Sequence, residues 1–113
     1  MTRDESKKPL NGANILVVDD DRVTQDLLRE VLSDAGYRVV TSGSAEEALE
    51  VGKEQSFDVI LSDMKLGTSL SGLDVLRAYK AIQPESEIIL ITAFGSMETA
   101  IEAVKAGAFD YLS

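Results

Sequence analysis

The chain has 113 residues, of which 44% are hydrophobic, and it carries a formal charge of −9. This length suits one domain with a single core and leaves no room for a second. No apolar run approaches the roughly 20 residues of a membrane span, and the polar start has no signal-peptide core. We therefore expect neither membrane insertion nor secretion, but a cytoplasmic protein. The net negative charge argues against direct nucleic-acid binding by this domain.

The residue types narrow the possible chemistry, because the chain contains neither Cys nor His. Disulfides, thiolate metal sites and imidazole acid–base chemistry are therefore excluded. Any reaction must use carboxylates, hydroxyls, Lys or the backbone. A divalent cation suits such an acidic chain better than a nucleic-acid backbone does.

Apolar runs and helical patterns alternate along the chain after a polar leader, residues 1–12. The predicted elements are, in order, strand 15–18, helix 22–35, strand 37–41, helix 44–54, strand 57–62, helix 73–83, strand 87–92, helix 96–107 and strand 109–112. Strands that alternate with helices through short links form an open parallel sheet with helices on both faces. The sequence therefore predicts one α/β domain.

Acidic residues follow two of the predicted strands. Asp19, Asp20 and Asp21 come directly after the first, and Asp63 ends the third. Carboxylates about 4 Å apart repel by about 4 kcal/mol at an effective dielectric constant near 20. If the two strands are neighbours, Asp19, Asp20 and Asp63 share a pocket, and bound Mg²⁺ would offset their repulsion. We expect either Asp20 or Asp21 to cap the first helix.

Asp63 stands out because an irregular loop follows it, rather than a helix. A carboxylate in this position can act as a nucleophile toward a phosphoryl group and form an aspartyl phosphate. The hydroxyl of Thr92, at the end of the fourth strand, could stabilise the transferred oxygens. Each residue also has a purely structural interpretation, Asp63 as a loop cap and Thr92 as a β-branched strand residue.

Four segments, ILVVDDD, FDVILSDMKL, IILITAFGS and AGAFDYLS, resemble in order and spacing the receiver domain of bacterial two-component response regulators. The resemblance covers residues 13–113. It implies a flavodoxin-like, doubly wound, five-stranded parallel sheet of order 2-1-3-4-5. It also implies phosphorylation on Asp63 and a Mg²⁺ ion held by Asp20, Asp63 and the backbone carbonyl of Lys65, with Asp19 acting partly through water.

The same resemblance assigns Thr92 as the switch hydroxyl and Tyr111 as the aromatic residue whose rotamer reports activation. The phosphoryl donor would be a phosphohistidine on a sensor histidine kinase or a phosphotransfer protein. The domain would assist its own phosphorylation and dephosphorylation without being a multiple-turnover enzyme.

Two departures from the family pattern concern loops. Gly67 stands where the family usually has Pro, and Gly72 follows Asp63 by nine residues instead of the family's eight. The family also has a Lys-Pro pair and a last helix after the fifth strand, whereas this sequence stops at Ser113. We therefore expect a C-terminally truncated receiver domain, a fragment of a longer regulator.

The segment TAFGSMETAIEAVKAGAFDYLS looks most like receivers of the nitrogen-regulation type. Those regulators carry a sigma-54-interacting ATPase domain and a DNA-binding domain, so transcription regulation is the expected output. The sequence does not fix the oligomeric state, and a homodimer is possible.

Two other functions are considered. In a haloacid-dehalogenase-like phosphatase, Asp19 and Asp21 would form the D-x-D motif, but Arg22 and Val23 follow where that family has small residues. A degenerate receiver would act only as an interaction module.

Overall fold

Strands and helices alternate along the chain in a computed structural model, which describes residues 12–66 and 70–91 and the backbone of 110–112. The elements are β1 Asn14–Val18, α1 Arg22–Asp34, β2 Arg38–Ser42, α2 Ala45–Glu54, β3 Val59–Asp63, α3 Gly72–Ile82, β4 Glu87–Ile91 and β5 Asp110–Leu112. The predicted helix 96–107 and most of the leader lie outside the described residues.

The five strands form one parallel sheet in the order β2-β1-β3-β4-β5. This order confirms the predicted α/β fold class with sheet order 2-1-3-4-5. Val18, the last residue of β1, lies between Ser42 of β2 and Ser62 of β3. The acidic residues that come next in the sequence therefore meet at one edge of the sheet.

One face of the sheet is covered by α2 and α3, which pack against each other. The core on this side contains Leu16 of β1, Ile60 of β3 and Leu90 of β4, all with no solvent exposure. Tyr79 of α3 is also fully buried and donates a 2.6 Å hydrogen bond to the carbonyl of Ala48 in α2. Burial raises the pKa of this phenol to about 12, so it stays a neutral donor.

The opposite face carries α1, which contacts β1 and β2. No residue of this helix is buried. Val23, Leu27 and Val31, one turn apart, form an apolar stripe with exposures of 73%, 58% and 53%.

Two strand boundaries differ from the prediction because local hydrogen bonds compete with the sheet. The N–H of Phe57 donates to the side-chain oxygen of Gln83 at 2.9 Å, so β3 begins at Val59 instead of residue 57. The N–H of Tyr37 donates to the carbonyl of Leu32 at 3.1 Å and closes α1, so β2 begins one residue later. No helix in the described part of the chain is long and apolar enough to cross a membrane.

Candidate metal centre

Three carboxylates meet at the carboxyl ends of β1 and β3. Asp19 and Asp20 follow β1, Asp63 ends β3, and one oxygen of each lies within 4.8 Å of the others. Asp19 and Asp63 are half-buried, and Asp20 is exposed. The structure thus brings together the three carboxylates that the sequence places in one pocket.

Asp19 is held by hydrogen bonds to β2 and to the residue that precedes α1. Its N–H donates to the carbonyl of Ser42 at 3.0 Å, and one carboxylate oxygen accepts from the N–H of Asp21 at 2.8 Å. Burial raises the pKa of the Asp19 carboxyl, and the negative charges of Asp63, Asp20 and Asp21 raise it further. The hydrogen bond from Asp21 opposes this shift only in part. The pKa of Asp19 therefore lies above that of an ordinary Asp side chain.

Asp63 is in a similar electrostatic position. Burial raises the pKa of its carboxyl, with a further contribution from the charge of Asp20. Backbone hydrogen bonds from Lys65 and Met64 and the positive charge of Lys65 lower it, but not enough to restore the ordinary value. The Lys65 N–H lies 3.2 Å from one carboxylate oxygen of Asp63. A cation in this pocket would stabilise the ionised forms of both Asp19 and Asp63.

Asp21 does not join this group, because it caps α1. Its carboxylate accepts hydrogen bonds from both the N–H and the hydroxyl of Thr24, at 3.0 and 2.6 Å. Both hydrogen bonds lower the pKa of the Asp21 carboxyl, and the one from the hydroxyl has the larger effect. Of the two candidates for the helix cap, the structure selects Asp21.

Two buried side chains, at every second residue, anchor the loop after Asp63. Met64 and Leu66 are buried in the core with 8% and 2% exposure, whereas Lys65 is exposed. The N–H of Met64 also donates to the carbonyl of Ile91 in β4 at 2.9 Å. The backbone at position 65 therefore stays beside the carboxylates.

The start of α3 closes on this loop. The N–H of Gly72 donates to the carbonyl of Met64 at 2.9 Å, and a Cβ at position 72 would lie 2.4 Å from the carbonyl oxygen of Asp63. Ser71 caps α3 in a capping box with Asp74. The role of Gly72 in this close approach was not predicted, although the S-x-x-D spacing before an apolar run signals the helix start.

The donor set fits a divalent cation such as Mg²⁺. Mg²⁺ prefers a few carboxylate oxygens together with water and phosphate oxygens, and the pocket presents three carboxylates. Burial and neighbouring negative charge raise the pKa values of Asp19 and Asp63, and a bound cation would oppose both shifts. Among the described residues, the metal ligands available are thus hard oxygen atoms.

Three positions singled out in the sequence lie wholly or partly outside the described residues. Thr92 and Gly67 lie outside the described residues. Only the backbone of Tyr111 is described, where it pairs with Leu90 in the sheet.

Comparison with known proteins matches residues 15–113 to the response regulator receiver domain family. The transcriptional regulatory protein ZraR of Escherichia coli K12 is 41% identical over 102 residues, which are 90% of this chain and 23% of ZraR. A receiver domain protein from Clostridium thermocellum superposes with a TM-score of 0.82 at 40% identity, covering 88% of this chain and 80% of that one.

A response regulator from Burkholderia pseudomallei superposes with a TM-score of 0.84 at 36% identity, covering 88% of this chain and 58% of that one. Its crystal structure contains a phosphorylated aspartic acid, a calcium ion and citrate. The chain thus spans less than a quarter of ZraR but most of a separately solved receiver domain. With the family match over residues 15–113 and the sheet order described above, this chain belongs to the response regulator receiver domain family.

Proposed function

We propose that this domain accepts a phosphoryl group on Asp63 from a phosphohistidine of a sensor kinase or phosphotransfer protein. The observation that carries the proposal is the meeting of Asp19, Asp20 and Asp63 at one edge of the sheet. A relative of the same fold contains a phosphorylated aspartic acid and a calcium ion, which supports this chemistry.

The reaction forms one bond and breaks one. An oxygen of Asp63 bonds to phosphorus, while the bond between phosphorus and the donor's imidazole nitrogen breaks and its electron pair stays on that nitrogen. One carboxylate oxygen of Asp63 accepts from the Lys65 N–H, which orients the carboxylate and leaves the other oxygen for the attack. Two backbone hydrogen bonds, from Met64 to Ile91 and from Gly72 to Met64, hold this loop in place during the transfer.

Asp19, Asp20 and Asp63 would hold Mg²⁺ together with the carbonyl of Lys65, and Asp19 would act partly through water. When bound, the ion supplies positive charge to the phosphoryl oxygens. The hydroxyl of Thr92 would donate to the phosphoryl group, and Tyr111 would report the switch.

The receiver would control an attached output domain, which we propose to be a transcription regulator in the cytoplasm. The relative ZraR is named a transcriptional regulatory protein, and this chain covers 23% of it. A sigma-54-interacting ATPase with a DNA-binding domain is the output that the segment 92–113 favours, with a homodimer as one mode of switching. The receiver domain itself would not contact DNA.

A phosphatase of the haloacid dehalogenase type fits the site less well. Its D-x-D motif would need a free carboxylate at Asp21, but this group is engaged in capping α1 through Thr24. The two functions differ in turnover. Incubation with acetyl phosphate and Mg²⁺ should transfer a single phosphoryl group to each chain, whereas steady hydrolysis of a phosphate monoester over many turnovers would contradict the receiver function.

A further inference from the structure

The carboxylate of Asp20 lies near those of Asp19 and Asp63. It is exposed and makes no hydrogen bond to another described residue. Its direction toward Asp63 therefore depends on the peptide plane between Asp19 and Asp20. Because that plane is rigid, fixing the carbonyl oxygen of Asp19 also fixes the N–H and the starting direction of Asp20.

A side chain from α1 holds this carbonyl. The amide nitrogen of Gln25 donates to the carbonyl oxygen of Asp19 at 2.7 Å, the shortest of the hydrogen bonds to the Asp19 backbone or carboxylate. The Gln25 side chain is half-buried. The loop after β2 lies beside the same nitrogen, since a Cβ added at Gly43 would come into van der Waals contact with it at 3.4 Å.

The loop beside Gln25 is itself fixed by hydrogen bonds. The N–H of Gly43 donates to the carboxylate of Glu47 at 2.8 Å, and the carbonyl of Ser42 accepts from the N–H of Asp19 at 3.0 Å. The side-chain amide of Gln25 therefore lies between the acidic turn, residues 19–21, and a loop that is fixed by hydrogen bonds of its own.

We propose that Gln25 is a positioning residue for the metal centre, acting through the carbonyl of Asp19 to aim the carboxylate of Asp20 at the ion. The inference rests on the proposed Mg²⁺ site but does not require phosphoryl transfer. Outer-sphere partners of metal ligands commonly contribute tenfold or more to affinity because they set ligand orientation.

A neighbouring hydrogen bond provides the matched control. One turn further along α1, Arg29 donates to the hydroxyl of Thr41 at 2.6 Å. This bond also ties α1 to β2, but it does not involve the acidic turn. Thr41→Val removes it without changing the net charge or the size of the side chain much. Gln25→Met likewise removes a donor at constant charge.

The experiment measures the Mg²⁺ dissociation constant by calorimetry and the unfolding temperature in EDTA for the whole chain and both variants. Both substitutions should lower the unfolding temperature, but only Gln25→Met should weaken Mg²⁺ binding, by about tenfold. Gln25→Asn, whose shorter amide cannot span the distance, should weaken it similarly and serves if the Met variant folds poorly. The amide resonances of Asp20 and Asp21 should shift in the Gln25 variants in EDTA and stay unchanged in Thr41→Val.

Equal Mg²⁺ affinities in the unsubstituted chain and the Gln25 variants would overturn the positioning role and leave the metal site intact. Equal losses in the Gln25 variants and Thr41→Val would reduce Gln25 to a structural residue. If the unsubstituted chain does not bind Mg²⁺, the metal site itself is wrong and the role of Gln25 with it.

Discussion

Gly72 approaches Asp63 so closely that the position leaves no space for a side chain. A Cβ there would lie 2.4 Å from the Asp63 carbonyl oxygen and 3.0 Å from the Cα of Met64. Both neighbours belong to the backbone of the loop that presents the carboxylate. The first residue of α3 therefore sets the position of this loop.

We predict that Gly72→Ala displaces the Asp63 loop and weakens Mg²⁺ binding. Crowding of this kind costs about 1–3 kcal/mol, part of which appears as lost stability and part as lost site geometry. Leu73→Ala is the control, because it leaves a cavity in the core at the next position and costs about 2–5 kcal/mol without adding an atom near Asp63. Titration with Mg²⁺ should show weaker binding for Gly72→Ala than for Leu73→Ala. The reverse order would mean that Gly72 does not support the site.

The two acidic residues after β1 should differ in their contribution to the metal. Asp20→Asn should weaken Mg²⁺ binding by more than about tenfold, since an ion pair at about 4 Å near a protein surface is worth about 4 kcal/mol. Asp19→Asn should weaken it less, because Asp19 is proposed to act partly through water. Asn can still accept the hydrogen bond from Asp21 at position 19. Equal losses in a calorimetric titration would contradict this division of roles.

Mg²⁺ binding should weaken as the pH falls. The pKa values of Asp19 and Asp63 are raised above 3.8, chiefly by burial, so protons compete with the cation at a higher pH than for ordinary Asp. Without metal, the folded state binds these protons more tightly than the unfolded state. Their contribution to stability in EDTA therefore becomes more favourable as the pH falls toward the raised pKa values, and less favourable as it rises.

The measurement is the Mg²⁺ dissociation constant between about pH 7.5 and about pH 4.5, compared with that of Asp19→Asn. The variant lacks one of the two carboxyls with a raised pKa, so its binding should depend less on pH. A pH-independent affinity in the unsubstituted chain would contradict the predicted competition between protons and Mg²⁺ at these two carboxyls.

Much of this arrangement could be predicted from the sequence, because it follows from periodicity and strand ends. The strand order brings Asp19 and Asp63 to one edge, and the sequence narrows the cap of α1 to Asp20 or Asp21, of which the structure has Asp21. The contacts of Gln25 and Gly72 could not be predicted in this way. They depend on how closely α1 and α3 approach the loops, which is a tertiary property with no periodic signal.

We propose that a helix following β5 covers the apolar stripe on α1. The receiver resemblance implies a helix after β5, and Leu27 lies at the centre of the stripe with 58% exposure. In the chain ending at Ser113, Leu27→Ser should change the free energy of unfolding by less than about 0.5 kcal/mol, as is usual at the surface. In a version extended by the natural sequence, the same change should cost about 1.5–3 kcal/mol.

The extended version should also melt at a higher temperature, because the added helix would bury the stripe. Arg22→Ala, on the same helix and 80% exposed at its side chain, is the control and should have the same small effect in both lengths. An equal cost of Leu27→Ser in both lengths would show that no segment after residue 113 covers the stripe.

The most direct test of the central claim is to map the phosphoryl group after treatment with acetyl phosphate and Mg²⁺. Trypsin should release the peptide 54–65, which contains Asp58 and Asp63 as its two Asp residues. Fragmentation should place the phosphoryl group on Asp63. Asp63→Asn should fold but remain unmodified, Asp58→Asn should still be modified, and EDTA should suppress the reaction. A phosphoryl group retained by Asp63→Asn, or found on another residue of the unsubstituted chain, would contradict the account.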